Sequence, residues 1–250
     1  MDLAQQWLAS PAPGSAVKRT RVEYRLDGVQ LEVDAVDCND VAFERGAPVH
    51  SFPSWRLKRH YDGYHWMGAL GVSIGFESLT ERDCLIELDR TPGVVGVASQ
   101  PMWIRWTAAG GIREHYPDYF VRLDGRQAVL MDVKPAHQSD DDVRAQFDMT
   151  ALFAAERGWR YVVYDAESPI RGGGGGGANL RFLAPFRDSA ISEDSPKLPE
   201  GGLPPGEVAS LFDVGSKGYA HCYALLWLGA LEADLEQPLS SMTIVWERSA

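Results

Sequence analysis

The chain is poor in cysteine, has no long apolar run and carries no excess of basic charge. Only three cysteines occur in 250 residues, Cys38, Cys84 and Cys222. Odd in number and far apart, they form neither a disulfide framework nor a paired metal-ligand motif, which points to a reducing cytoplasm. The longest apolar stretch, Tyr223 to Leu231, is far short of the roughly 20 residues of a membrane helix. The opening MDLAQQWLASPAPGS has no basic segment leading into an apolar one, so no secretory leader is expected. The formal net charge is −11, which excludes a broadly basic, promiscuous nucleic-acid binder. It does not exclude a nuclease, because metal-ligating carboxylates add negative charge that bound cations neutralise. Tight DNA binding by such a chain calls for a partner. The six successive glycines between Arg171 and Ala178 end in no Lys-Ser/Thr and lie in no G-x-G-x-x-G context. They read as a flexible surface loop, not a phosphate loop.

What is present is a globular composition, 45% apolar and 24% charged, enough for one large domain or a domain with appendages. VEYRLDGVQLEV, Val22 to Val33, alternates apolar and polar residues around Asp27-Gly28, a hairpin pattern. Residues 50–76 interleave cations and rings, among them Trp55, Arg56, Lys58, Arg59, His60, Tyr64 and Trp66. A nucleic-acid surface and an aromatic strand core explain this equally well. If the first holds, Arg56, Lys58 and Arg59 are the DNA contacts. Ser78-Leu79-Thr80-Glu81 is a capping box opening a helix that stops before Pro92-Gly93. Val94 to Ala98 and Met102 to Trp106 read as strands. Ile112 to Leu123 and Arg126 to Val133 read as a hairpin turned at Asp124-Gly125. A second helix from Ser139 to Gly158 and the buried-type strand WRYVVY follow, so the sheet should hold a parallel pair. After a Ser/Pro/Gly-rich linker, two short helices (Glu207 to Phe212, Gly218 to Leu231) and a strand at Met242 to Trp246 suit a small winged helix.

The chemistry concentrates in PDYFVRLDGRQAVLMDVKP, Pro117 to Pro135. Residues two apart in a strand face one side, so Asp132 and Lys134 point together while Val133 points away. Asp118 and Asp132 on adjacent antiparallel strands can approach one ion, and the Val133 backbone carbonyl can add a ligand. A phosphodiester resists attack because its own charge repels the nucleophile. Divalent cations held by carboxylates neutralise it, activate water and stabilise the leaving oxygen. Mg²⁺ prefers such oxygen ligands. Lys134 beside them can orient or deprotonate water, or steady the transition state. Glu81, from the preceding helix, is the candidate third carboxylate. It is equally a helix-cap partner, and Asp132 with Lys134 could be an ordinary salt-bridged strand face.

In this order the residues resemble the P-D-(x)n-D-x-K signature of restriction-endonuclease-like nucleases. More closely, the chain resembles the TnsA-type endonuclease subunit of heteromeric transposases. The matching segments are Phe76 to Glu81, Val94 to Pro101, Tyr116 to Val121 and Met131 to Ala136, within roughly residues 50–187. The resemblance implies an α/β fold: a restriction-endonuclease-like mixed β-sheet core flanked by helices. The expected organisation is an N-terminal β-rich extension (1–49), a nuclease domain (50–187), a linker (188–206) and a C-terminal helical or winged-helix-like segment (207–250). It also implies catalytic residues Glu81, Asp118, Asp132 and Lys134, with Glu77 a rival for the first. The implied cofactor is Mg²⁺, with Mn²⁺ substituting. The implied work is cutting the 5′ transposon ends, while a DDE-type, TnsB-like subunit handles the 3′ ends, with an ATPase regulator as a further partner. Two other readings stand beside this one: a stand-alone restriction or repair nuclease of the same fold, and a non-catalytic DNA-binding or assembly protein for which metal is irrelevant.

Overall fold

The computed structural model describes residues 20–50, 61–108, 111–134, 141–165, 176–190, 196–212 and 215–248. The chain forms two compact units, Asp2–Leu85 with Thr91–Ala166, and Ile86–Arg90 with Glu167–Ala250.

The first unit begins with the hairpin of β1 (Thr20–Leu26) and β2 (Val29–Asp34). Asp27 and Gly28 both adopt positive φ, 50° and 78°, as a two-residue turn matched to strand twist requires. Two further strands, β3 (Gly63–Met67) and β4 (Val72–Phe76), pair antiparallel and lead to helix α1 (Leu79–Arg90). Then come β5 (Val94–Ser99), β6 (Met102–Ala108), β7 (Gly111–His115), β8 (Tyr119–Leu123) and β9 (Ala128–Lys134). Helix α2 (Asp141–Ala155) carries the chain to β10 (Arg160–Asp165). Gly158, at φ 68°, closes α2: the Trp159 N–H donates to the Ala154 carbonyl at 3.0 Å, the bond of a glycine C-cap. Ser139 and Asp140, the expected start of α2, lie outside the described residues.

Two four-stranded sheets result, in the orders β2-β1-β6-β7 and β10-β9-β8-β5. The first is antiparallel. The second is mixed, with β10 parallel to β9 as the intervening helix requires. Between the sheets lies a core of Val22, Met102, Ile104, Phe120 and Leu130, closed by Phe147, Ala151 and Phe153 of α2.

Two expectations are corrected here. Ile112 to Leu123 is not one strand. It breaks at Tyr116-Pro117-Asp118, so that β7 pairs with β6 in one sheet and β8 pairs with β5 and β9 in the other. Pro117 has no N–H to give a ladder, and it confines the residue before it. The same device recurs at Gln100-Pro101, where the chain passes from β5 to β6. The two crossings lie side by side: the Gln100 N–H donates to the Asp118 carbonyl at 2.7 Å. Nor do the described residues 20–49 form a separate extension. β1 pairs with β6 from Thr20↔Trp106 to Tyr24↔Met102, and Val22 and Phe43 lie in the shared core.

In the second unit, α3 (Gly176–Leu183), α4 (Pro205–Ser210) and α5 (Gly218–Leu228) precede the strands β11 (Leu231–Ala233) and β12 (Val245–Glu247). Leu180, Leu183 and Ala184 pack with Val208, Leu225, Leu226 and Val245. The break between units therefore falls near residue 166 instead of 187, because α3 needs this core to bury its apolar face. Helix α5 ends at Gly229, φ 73°, and not at Leu231, which opens β11. The expected linker is tied down at its end, where Leu203 and Val245 exchange backbone hydrogen bonds of 2.9 Å. No helix among the described residues is long and apolar enough to cross a membrane. The three cysteines are buried and form no disulfide.

Candidate active site

The candidate residues gather where the two proline-broken crossings meet. Asp118 directly precedes β8. Two residues beyond the Tyr119↔Met131 pair, the chain turns away at Pro117 and leaves the Val133 N–H without a strand partner. The Asp118 carboxylate takes that place, accepting the Val133 N–H through Oδ2 at 2.7 Å. Within a strand the N–H and C=O of one residue point to the same side, so the Val133 carbonyl also faces Asp118. Burial pushes the Asp118 carboxyl well above the usual carboxylate range. The neighbouring charges of Asp132 and then Glu81 add to the rise, while the Val133 hydrogen bond and Lys134 oppose it.

Asp132 is 1% exposed. It shares a strand face with Leu130 and Lys134, the face covered by α2. Its Oδ2 accepts hydrogen bonds from the Tyr161 hydroxyl and from His115 Nε2, the latter at 2.9 Å. The Gln146 amide bonds the other ring nitrogen of His115. Lys134 is half-buried at the end of β9, near enough to lower the pKa of both Asp118 and Glu81.

Glu81 sits where the capping box puts it. Its N–H donates to Ser78 Oγ at 3.1 Å, and its Oε1 accepts the Ser78 hydroxyl at 2.9 Å. Its Oε2 accepts the Glu77 N–H at 2.8 Å. The carboxylate thus folds back on its own helix start. Burial raises its pKa, and its bonds to the Glu77 N–H and to Ser78 oppose that rise. Tyr119, whose side chain alternates away from Phe120, is itself pushed up by burial and then by Glu81 and Cys84 of α1. Glu77, the rival, instead accepts the Gln100 side-chain amide through Oε2 at 3.1 Å. Gln100 is buried, holds φ at 43°, and its Oε1 has no hydrogen-bond partner among the described residues.

The electrostatics thus couple Asp118 to Asp132, Glu81 and Lys134. The contacts do not yet draw the three carboxylates together: among the described residues no three of His, Cys, Asp and Glu gather closely enough to hold a metal ion. Glu81 is occupied at the helix start and one oxygen of Asp132 by two donors. The donor set itself, carboxylates and a carbonyl, is that of a hard divalent cation. A half-buried Asp118 beside two like charges is the arrangement a cation would relieve. Arg56, Lys58 and Arg59, the expected DNA contacts, lie outside the described residues.

Residues 91–166 match the family model described as TnsA-like endonuclease N terminal. The chain carries a TnsA-like endonuclease domain. No curated protein matches the chain. The matched stretch runs from just before β5 to the end of β10, and it contains Asp118, Asp132, Val133 and Lys134. Glu81 lies outside it. The mixed sheet with α2 across one face is the restriction-endonuclease-like core of this TnsA-like domain.

His115, Tyr161 and Gln146 also fall inside the TnsA-like stretch, and sequence reasoning did not find them. His115 stands three residues before Asp118, but only the pairing of β7 in the other sheet reveals that it meets Asp132. Tyr161 was legible as a core aromatic of a strand parallel to β9. Its register, opposite Leu130 and so two residues from the position that pairs with Asp132, was not.

Proposed function

We propose that this TnsA-like chain is a divalent-cation-dependent DNA endonuclease, working as the subunit of a heteromeric transposase that cuts the 5′ transposon ends. The observation that supports this most is the half-buried Asp118 carboxylate bound to the Val133 N–H, beside Asp132 and Lys134 on the adjoining strand. A structural carboxylate of this kind is ordinarily paired one-to-one with a cationic side chain. Among the described residues Asp118 bonds only the Val133 N–H, which suits a group that arrives with positive charge.

In this reading Asp118, Asp132 and the Val133 carbonyl hold Mg²⁺, or Mn²⁺ in its place, with Glu81 the third carboxylate. The cation supplies charge neutralisation of the phosphodiester and a more acidic water. The protein's own groups do the rest. Asp118 anchors the end of β9 through the Val133 N–H. Lys134 presents its Nζ to the scissile phosphate, where it offsets the negative charge that grows on the phosphoryl oxygens. The partner for the 3′ strand is a DDE-type, TnsB-like subunit, and the net acidic chain relies on it for DNA affinity.

The test is nicking of a supercoiled plasmid carrying a transposon end, with Mg²⁺ or Mn²⁺, with and without the partner subunit. Metal-dependent nicking by the wild type that Lys134→Ala abolishes supports the proposal. Lys134→Ala and Asp118→Ala proteins that nick as well as the wild type refute the assignment.

A further inference from the structure

Asp132 is buried, and both of its donors, the Tyr161 hydroxyl and His115 Nε2, converge on a single oxygen, Oδ2. Oδ1 receives neither. A carboxylate offers lone pairs on both oxygens, and a purely structural cage would spread its donors to offset the cost of burial. The donors come from different elements, His115 from β7 of one sheet and Tyr161 from β10 of the other, so they fix the carboxylate plane as well as its position. The chain of contacts runs one residue further. Gln146 of α2 bonds His115 Nδ1. With the Gln146 amide donating there, the imidazole proton resides on Nε2 and points at Asp132. Metal-ligating groups are commonly oriented by this kind of outer hydrogen bond, and losing one typically costs 10–100-fold in metal affinity.

We infer that His115 and Tyr161 are positioning residues, which pin Asp132 through Oδ2 and thereby present Oδ1 to the divalent cation, with Gln146 fixing the tautomer of His115. This rests on the proposed cation site but adds residues to it that no P-D/D-x-K motif contains.

The experiment is a Mn²⁺ titration of the full chain, followed by the electron paramagnetic resonance signal of free Mn²⁺, alongside thermal melts in metal-free buffer. The proteins are wild type, Tyr161→Phe, His115→Leu and His115→Gln. Tyr161→Phe and His115→Leu are each expected to weaken Mn²⁺ binding about tenfold. His115→Gln, whose amide can still donate to Oδ2, should stay near the wild type. If the wild type binds Mn²⁺ and the two disrupting variants bind it equally well, the inference is overturned while the cation site stands. It is overturned in the same way if they melt earlier with unchanged Mn²⁺ affinity, since that marks a packing role only. A wild type that binds no Mn²⁺ removes the cation site and the inference with it.

Discussion

Glu81 is placed to do two jobs, and two substitutions separate them. As a cap it accepts the Glu77 N–H and the Ser78 hydroxyl. Glu81→Ala loses both bonds, at a cost of about 1–2 kcal/mol. Part of that is returned, because burial disfavours the charge the wild type carries there. In a domain of this size a net loss of that order lowers the melting temperature by roughly 2–4 °C per kcal/mol. Glu81→Gln keeps one acceptor oxygen and one bond, so its cost is about 1 kcal/mol or less. Its neutral amide cannot serve as a cation-binding carboxylate. If Glu81 belongs to the catalytic set, Glu81→Gln loses about a hundredfold or more in nicking rate, the scale of removing one preorganised electrostatic group. The assays are differential scanning calorimetry and Mn²⁺-supported plasmid nicking on the same preparations. A Glu81→Ala protein as stable as the wild type refutes the cap. A Glu81→Gln protein that nicks normally leaves Glu81 as a cap alone.

Lys134 is half-buried at a strand end, so Lys134→Ala should change the melting temperature by no more than a few degrees while removing about a hundredfold or more of nicking; both are read in the assays above. Asp118 gives a pH signature. Its folded carboxyl is held above its unfolded pKa by burial and by Asp132 and Glu81, so the folded state binds the extra proton. Stability is then greatest in acid and declines as pH rises from the ordinary carboxylate range through the folded value. In metal-free urea titrations Asp118→Asn should therefore be more stable than the wild type at pH 8, and that advantage should vanish near pH 4. An unchanged difference between the two pH values contradicts the electrostatic account. In the second unit, the Arg90 guanidinium donates to the Trp227 and Leu226 carbonyls at 2.7 and 3.0 Å, next to the glycine cap of α5. Arg90→Ala should cost about 2 kcal/mol or more, seen as faster hydrogen exchange in α5 with little change in β8 and β9.

The parts of the fold that depend on neighbouring residues were readable in the sequence. Asp27-Gly28 specifies its turn, Ser78-x-x-Glu81 its helix start, and the order of β9, α2 and β10 a parallel pair. Each is a local rule, and each element formed where the rule placed it. Other features depend on which strands meet. Pro117 within Ile112 to Leu123 was readable as a break, yet the break's consequence, a change of sheet, follows from pairings with β6 and β5 that no local pattern announces. The tertiary role of β1 was hidden for the same reason. Gly229 ended α5 early because a left-handed glycine overrode a continuing apolar run. For the candidate site, P-D and D-x-K pointed to Asp118, Asp132 and Lys134 directly. His115 and Tyr161 were invisible because their meeting with Asp132 joins two sheets and a parallel register. The strained backbone of Gln100, which links Glu77 to the Asp118 crossing, left only a Gln-Pro pair as its trace.

The most direct test is anomalous diffraction from crystals of the chain soaked in Mn²⁺. The account predicts a single strong peak, or a close pair, between the carboxylates of Asp118 and Asp132 and within reach of the Val133 carbonyl. Well-ordered crystals with no peak there, or with manganese bound only elsewhere, would contradict it.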